Sequence, residues 1–344
     1  MLLDSTFRKV IPSLLGVAFL VFVAIACKQE VDVFADTKEI PVIYGLLDAK
    51  ADTNFVRITK AVVTDDNAAQ LMQHPEQLCY DHKLDVWLVE YENNRLKRTI
   101  PLDTLSSKLY FTDTKLGKNT KQSHYSYELK IVVDDDTITS KADLVGDNAF
   151  SIGSPNFNFS LTYFGMLRSF RFAPAQNACF YDVTVMFRYK ERRLPSEDTV
   201  VAEYRFMYDR HYSEQLDYTL SDGYYTVRYR PEYFWSGLAE FLGDDTLNDN
   251  VIRYITDDPI EVLVEAGGWE LLNYYLVNYD PQYSGSYAAP DLSCVGHGAA
   301  GLFSSKAKAV SIGRLSGTTV PELINRGWGF KYIGGVIKDE GTID

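Results

Sequence analysis

Apolar and polar residues alternate with a period of two along much of this chain, the pattern of half-buried β-strands. Tyr125 to Val133 shows it most clearly, with Tyr125, Tyr127, Leu129, Ile131 and Val133 on one face. Phe180 to Tyr189 repeats it through Tyr181, Val183, Val185, Phe187 and Tyr189, and Val200 to Tyr208 through Ala202, Tyr204 and Phe206. Asn54 to Val63, Lys83 to Tyr91, Thr137 to Val145, Phe157 to Phe159, Tyr224 to Tyr229 and Ile260 to Glu265 read as further strands, as does the apolar run Ile40 to Leu47 that Asp48 ends. Helical signals are fewer. Asp65, Asp66 or Asn67 caps a short helix through Ala68–Met72. Pro231 to Leu242 starts on proline and stops before Gly243. Gly268 to Tyr279 places Leu271, Leu272, Tyr275 and Leu276 at helical spacing, and Thr319 to Arg326 is a short helix ended by Gly327. No repeat of fixed period runs through the chain.

The N-terminal segment breaks the strand pattern. Arg8 and Lys9 precede the uncharged run Val10 to Ala26, and small residues stand just before Cys27. Basic, apolar, small and cysteine in that order read as a bacterial lipoprotein signal. Residues 1–26 are then the signal peptide, Cys27 the lipidated first mature residue (a palmitate-type acyl anchor), and 27–38 a tether carrying Glu30, Asp32 and Asp36. A transmembrane helix is the competing reading, but a span takes about 20 apolar residues, and Pro12 and Gly16 interrupt this run. An ordinary cleaved signal beside a coincidental cysteine is the other. Two or more acyl chains anchor durably where one is marginal, so the expected location is the outer membrane, lipid-anchored, at the cell surface.

Gly153, Ser154 and Pro155 cluster at a boundary near Phe150 to Asn156, dividing residues 39–150 from 151–344; two domains suit this length. The Tyr127-x-Leu129-x-Ile131 strand resembles strand F of immunoglobulin-like sandwiches. The expected fold class is mainly β: an N-terminal immunoglobulin-like sandwich followed by a larger β-rich domain with a few short helices. Aromatics at 14%, with 24 Tyr and 19 Phe, favour the same class. A net charge of −13 offers no basic face to nucleic acid. Beyond Cys27 there are Cys79, Cys179 and Cys294, enough for one disulfide and without the paired spacing of a zinc site.

Several stretches together resemble a family of Bacteroidetes surface lipoproteins with a domain of unknown function: Pro41 to Asp48, Phe55 to Lys60, the Thr139–Val145 strand leading to Phe150 and Pro155, and Gly301 to Lys306. Val62-Val63 departs from the aromatic expected there. Cys27-Lys28-Gln29-Glu30 is similar to the surface-export signal of such lipoproteins. The resemblance implies an immunoglobulin-like first domain, an accessory role in surface binding or uptake beside a TonB-dependent receptor, and no catalytic residues to carry over.

Candidate chemistry is sparse. Gly296 to Gly301 satisfies G-x-G-x-x-G but lacks a preceding strand and following helix, so a tight backbone loop is the expectation and no cofactor is expected. Ser305-Lys306-Ala307-Lys308 satisfies S-x-x-K without the companion motifs of a penicillin-recognising enzyme, and reads as a polar strand start. Cys294 and His297 sit three apart, and His74, His82, His124 and His211 are scattered. The oxygen-rich loop Asp244 to Asn250 is either a solvated turn or a calcium site. Trp235, Trp269 and Trp328, with Tyr274, Tyr275 and Tyr279, read mostly as core, leaving Tyr283 and Tyr287 as candidate ligand-surface aromatics. The expectation is a non-enzymatic binding or accessory protein for a receptor, glycan or nutrient. A hydrolase in the second domain and a structural envelope subunit are the alternatives.

Overall fold

The computed structural model describes residues 40–61, 75–153, 158–162, 165–213, 217–219, 223–279, 293–294, 299–332, 337–338 and 342–343. Eight strands come first: β1 (Ile40–Leu47), β2 (Asn54–Ala61), β3 (Asp85–Glu92), β4 (Arg95–Pro101), β5 (Asp103–Ser106), β6 (Leu109–Thr112), β7 (Tyr125–Val133) and β8 (Asp136–Asp143). They lie in two layers, β1-β2-β6-β5 and β4-β3-β7-β8. Lettered in chain order, with β4 as an extra strand, these are the A-B-E-D and C-F-G layers of an immunoglobulin-type sandwich. Ile43, Leu47, Val56 and Ile58 from one layer meet Val86, Leu88, Leu129 and Ile131 from the other in a single core. Each such side chain contributes about 2 kcal/mol when fully buried, several times an exposed ion pair. Alternation of apolar residues therefore sets the strand register.

Two local features fit this fold. Asn93 and Asn94 both take positive φ, 51° and 62°, which is what a two-residue type I′ hairpin between β3 and β4 requires. In β7, the buried Tyr127 hydroxyl accepts the Gly117 N–H at 2.7 Å and donates to Glu90 at 2.6 Å. That back-bond from strand F to the chain leading into it is the tyrosine corner of such sandwiches. Burial, and then the bond to Glu90, push the Tyr127 phenol far above its usual range.

The remaining elements are β9 (Asn158–Phe159), β10 (Arg168–Phe172), β11 (Phe180–Arg193), β12 (Thr199–Tyr212), β13 (Asp217–Thr219), β14 (Tyr224–Tyr229), α1 (Pro231–Leu242), β15 (Val251–Gly267), α2 (Trp269–Tyr279), β16 (Ser293–Cys294), β17 (Ala300–Leu315), α3 (Thr319–Asn325) and β18 (Phe330–Tyr332), then a short pair, β19 (Ile337–Lys338) and β20 (Thr342–Ile343). The fold is mainly β, as the alternation predicts. β12, β11, β15 and β17 form an antiparallel sheet in that order. Val183, Val185, Phe187, Val262 and Val264 on its inner face pack with Phe170 and Phe172 of β10, Phe234 and Leu238 of α1 and Leu323 of α3. On the opposite face α2 covers Phe180 and Leu302 through Leu271 and Leu272. No helix among the described residues is long and apolar enough to cross a membrane.

Several strands outrun the expectation. β11 extends to Arg193, and β15 begins at Val251, well before Ile260. β4, β5, β6 and β10 were not visible as periodic runs. The helix expected through Ala68–Met72 lies outside the described residues.

β17 joins the two groups of strands. Its first part pairs parallel with β1, from Val42 opposite Ala300 to Leu47 opposite Ser305. Its second part pairs antiparallel with β15, from Lys306 opposite Gly267 to Gly313 opposite Ile260. The result is one eleven-stranded sheet that crosses the expected boundary.

The crossing demands a close approach at Gly301. Its φ is +118°, and a Cβ there would lie 1.9 Å from the Ile43 carbonyl oxygen. Gly301→Ala should therefore cost roughly 3 kcal/mol or more of folding stability, from a forced backbone conformation plus a backbone clash. Urea unfolding checks this; a midpoint equal to that of the natural chain would refute the role given to Gly301.

Candidate functional site

Cys27, Tyr283, Tyr287, His74 and residues 296–298, which include His297, lie outside the described residues, as does the side chain of Cys294. The other sequence candidates are placed as follows. Ser305 is fully buried; its Oγ accepts the Val145 N–H at 2.7 Å and donates to the Asp143 carbonyl at 2.6 Å. A hydroxyl held at both ends inside the sheet is a structural pin, unlike an exposed nucleophile with a base beside it. Asp245 is committed too: Asn248 Nδ2 donates to one oxygen at 3.0 Å and Arg193 to the other at 2.6 Å. These two partners hold its carboxyl below the usual range. Both carboxylate oxygens of Asp245 are thus engaged. Among the described residues no group of three or more His, Cys, Asp and Glu could hold a metal ion. Cys79, just after the turn Pro75–Leu78, and Cys179, just before β11, are each half-buried free thiols.

The tryptophans divide by burial. Trp235 is buried and donates its indole N–H to the Leu161 carbonyl at 2.7 Å. The Arg326 guanidinium lies between Trp235 and Trp328, 4.2 and 5.2 Å from their centroids. Trp269 is 57% exposed. Tyr275 packs edge-on to Phe180 and beneath Arg210, whose guanidinium is 4.0 Å from its ring and chelates Asp182. These aromatics hold α1, α2 and α3 to the sheet.

An open space with charged and aromatic side chains around it lies where the two groups of strands meet. β1 ends opposite Ser305, and the next neighbour on that side of β17 is β9, opposite Arg314 and Leu315. Between them, among the described residues, β17 has a ladder partner on one side only. A cleft of about 710 Å³ lies beside this part of β17, bordered by Lys50, Phe150, Ile152, Tyr224 and Lys308. That size lies within the roughly 300–1,000 Å³ of small-ligand sites, which favour such junctions. A separate pocket beside it, lined by Asp48, Lys50, Asn119, Val145 and Gly146, is held by backbone hydrogen bonds. Asn119, with no exposure, donates to the carbonyls of Leu144 at 2.6 Å and Gly146 at 3.0 Å and accepts the Tyr125 N–H at 2.7 Å. Sequence reading missed this cleft, because its lining comes from distant segments.

A second buried polar pair lies at the start of α2. Ser304 Oγ, fully buried, donates to Glu270 Oε2 at 3.0 Å. Burial raises the Glu270 pKa above the ordinary glutamate value, and the Ser304 bond only partly offsets it. This bond fastens the start of α2 to β17.

Comparison with known proteins adds no family. No family model matches the chain, and no curated protein matches it. Among solved structures, a chimeric titin Z1Z2-Z1Z2 tandem functionalised with a GRGDS peptide from fibronectin is 10% identical with a TM-score of 0.16, covering 80% of this chain and 99% of its own. A DUF4785 family protein from Legionella pneumophila is 11% identical with a TM-score of 0.22, covering 65% of this chain and 52% of its own. Likenesses at these scores carry no argument about fold or function.

The raised pKa of Glu270 has a definite sign in stability. A group whose folded pKa exceeds its unfolded value binds its proton more tightly in the folded state. Its contribution is full below the unfolded pKa and fades as pH climbs through the folded one. Glu270→Gln, which keeps an acceptor for Ser304, should flatten that decline and raise the melting temperature at neutral pH relative to pH 4. Parallel pH–stability curves for variant and natural protein would contradict it.

Proposed function

We propose that this chain is a lipid-anchored protein of the outer membrane, displayed at the cell surface, with a non-catalytic binding or accessory role. The observation that carries the reading is the N-terminal order Arg8-Lys9, the uncharged run Val10 to Ala26, and Cys27. Acyl chains on Cys27 hold the protein at the membrane, and the short polar tether leads to β1, which begins at Ile40. The folded part then works at the end of a leash a dozen or so residues long.

Support for a binding role comes from how the reactive-looking side chains are spent. Ser305, Asp245 and Glu270 each hold pieces of backbone or neighbouring side chains together. The resemblance to surface lipoproteins adds a TonB-dependent receptor, another envelope protein or a glycan as the partner. A net charge of −13 disfavours docking on anionic lipid headgroups by charge, which leaves the acyl anchor as the membrane contact.

Cys27→Ala tests the anchor directly. Expressed in a bacterium that processes lipoproteins, the variant should leave the membrane fraction or accumulate as unprocessed precursor. A variant that matures and sediments with membranes as the natural protein does would overturn the lipoprotein reading.

A further inference from the structure

We propose that the pocket where the chain leaves β1 and β8 beside β17 binds the zwitterionic head group of a free α-amino acid. This ligand class rests on the binding role above and gives it a site.

Place and size are the first ground. Three loops gather at one pole of the first group of strands: Asp48 to Lys50 leaves β1, Lys118 and Asn119 precede β7, and Val145 to Asn148 leaves β8. β1 runs roughly 25 Å from Ile40 to this pole at the usual strand rise, so the pocket lies at the end away from the tether. Loops fixed by a rigid frame are where binding residues concentrate. With Ala307 of β17 these loops surround a cavity of about 70 Å³. Its floor of Val145, Gly146 and Ala307 is buried, and its rim is charged. A single water needs about 10–15 Å³, so the space takes about five water-sized groups. The nitrogen, Cα, carboxyl carbon and two oxygens of an amino-acid head group match that size, and a sugar ring exceeds it.

Charge is the second ground. The rim carries two charges of each sign, Asp48 and Asp147 against Lys50 and Lys118. Among the described residues no two of these four pair with each other. Each carboxylate is fixed through one oxygen. Asp147 Oδ1 accepts the Ala149 and Phe150 N–H groups, both at 3.0 Å, and Asp48 Oδ1 accepts the Lys50 N–H at 2.8 Å. Among the described residues both Oδ2 atoms are unpartnered, which leaves them for a ligand ammonium. Lys118 has no partner among the described residues either, and Lys50 Nζ lies 3.4 Å from the Lys308 carbonyl and 5.9 Å from the Phe150 ring centre. Charge-assisted hydrogen bonds are the strong ones, and carboxylates already held in place cost little to order on binding. A simple cation meets two ammoniums here and a simple anion two carboxylates, so one pair disfavours each. A ligand with both charges on one carbon meets an opposite charge from either pair. Peptides carry their terminal charges further apart and fit less well.

The test is equilibrium dialysis of the full-length protein in detergent against radiolabelled glycine. Glycine should bind saturably, and unlabelled alanine should displace it. Acetate, methylamine and diglycine at the same concentration should not. Asp147→Asn, which keeps the oxygen that accepts Ala149 and Phe150, and Lys118→Gln should each weaken binding about tenfold. Ala49→Leu, which adds bulk at the rim, should block it. All three positions are exposed or half-buried, so the variants should fold; their unfolding midpoints check this. Absence of saturable binding, displacement by acetate, methylamine or diglycine as strong as by alanine, or undiminished binding by either charge variant would overturn the proposal. A chain that binds no glycine yet still anchors through Cys27 loses the pocket and keeps its surface role. One that binds glycine without anchoring keeps the pocket and loses its place on the membrane.

Discussion

One strand must satisfy two ladders of opposite sense. β17 runs parallel to β1 and then antiparallel to β15, and the rest of the architecture depends on its doing both. Parallel pairing of strands at opposite ends of the chain cannot form from a local turn. Its register is locked by Gly301 against Ile43, where no side chain fits. Where β17 crosses into the second group of strands its inward residues are small: Ala307, Ala309, Ser311 and Gly313. Small residues there admit the bulky aromatics of β10, β14 and α1 into the shared core.

Buried polar bonds hold the junction that β17 creates. Asn119 satisfies three backbone groups around residues 125 and 144–146, and Ser305 satisfies two more at Asp143 and Val145. Leaving such groups unpaired costs about 1–3 kcal/mol each, so the chain leaving β8 has one favoured path. A comparable clip stands at the far end of the second sheet. Arg253, 1% exposed, donates to the carbonyls of Trp328 at 2.7 Å and Asp245 at 3.2 Å and lies 3.2 Å from Glu191. It ties β15, β11 and the segment after α3 together.

The first group of strands was largely readable in advance. Tyr125, Tyr127, Leu129 and Ile131 alternate strictly, and the structure buries all four against β1 and β2. β11 and β12 were visible for the same reason. β17 was not, beyond a polar start at Ser305, because Ser-Ser-Lys-Ala-Lys-Ala-Val-Ser has little apolar contrast between its faces. Gly301 appeared only as the end of a glycine-rich motif, and its true constraint, the Ile43 carbonyl, lies more than 250 residues away. The cleft was invisible for a like reason: Lys50, Phe150, Tyr224 and Lys308 come from four separate segments.

By itself the sequence determined the class of structure and the reading of the N-terminal segment. Period-two alternation and the basic–apolar–cysteine order are local patterns that need no neighbours to be recognised. Only the tertiary structure decided that two groups of strands share one sheet, that Ser305 is held between two backbone groups, and that Gly301 meets the Ile43 carbonyl. Those outcomes depend on which distant backbone groups find partners, and a chain of letters does not record where its unpaired hydrogen bonds will face.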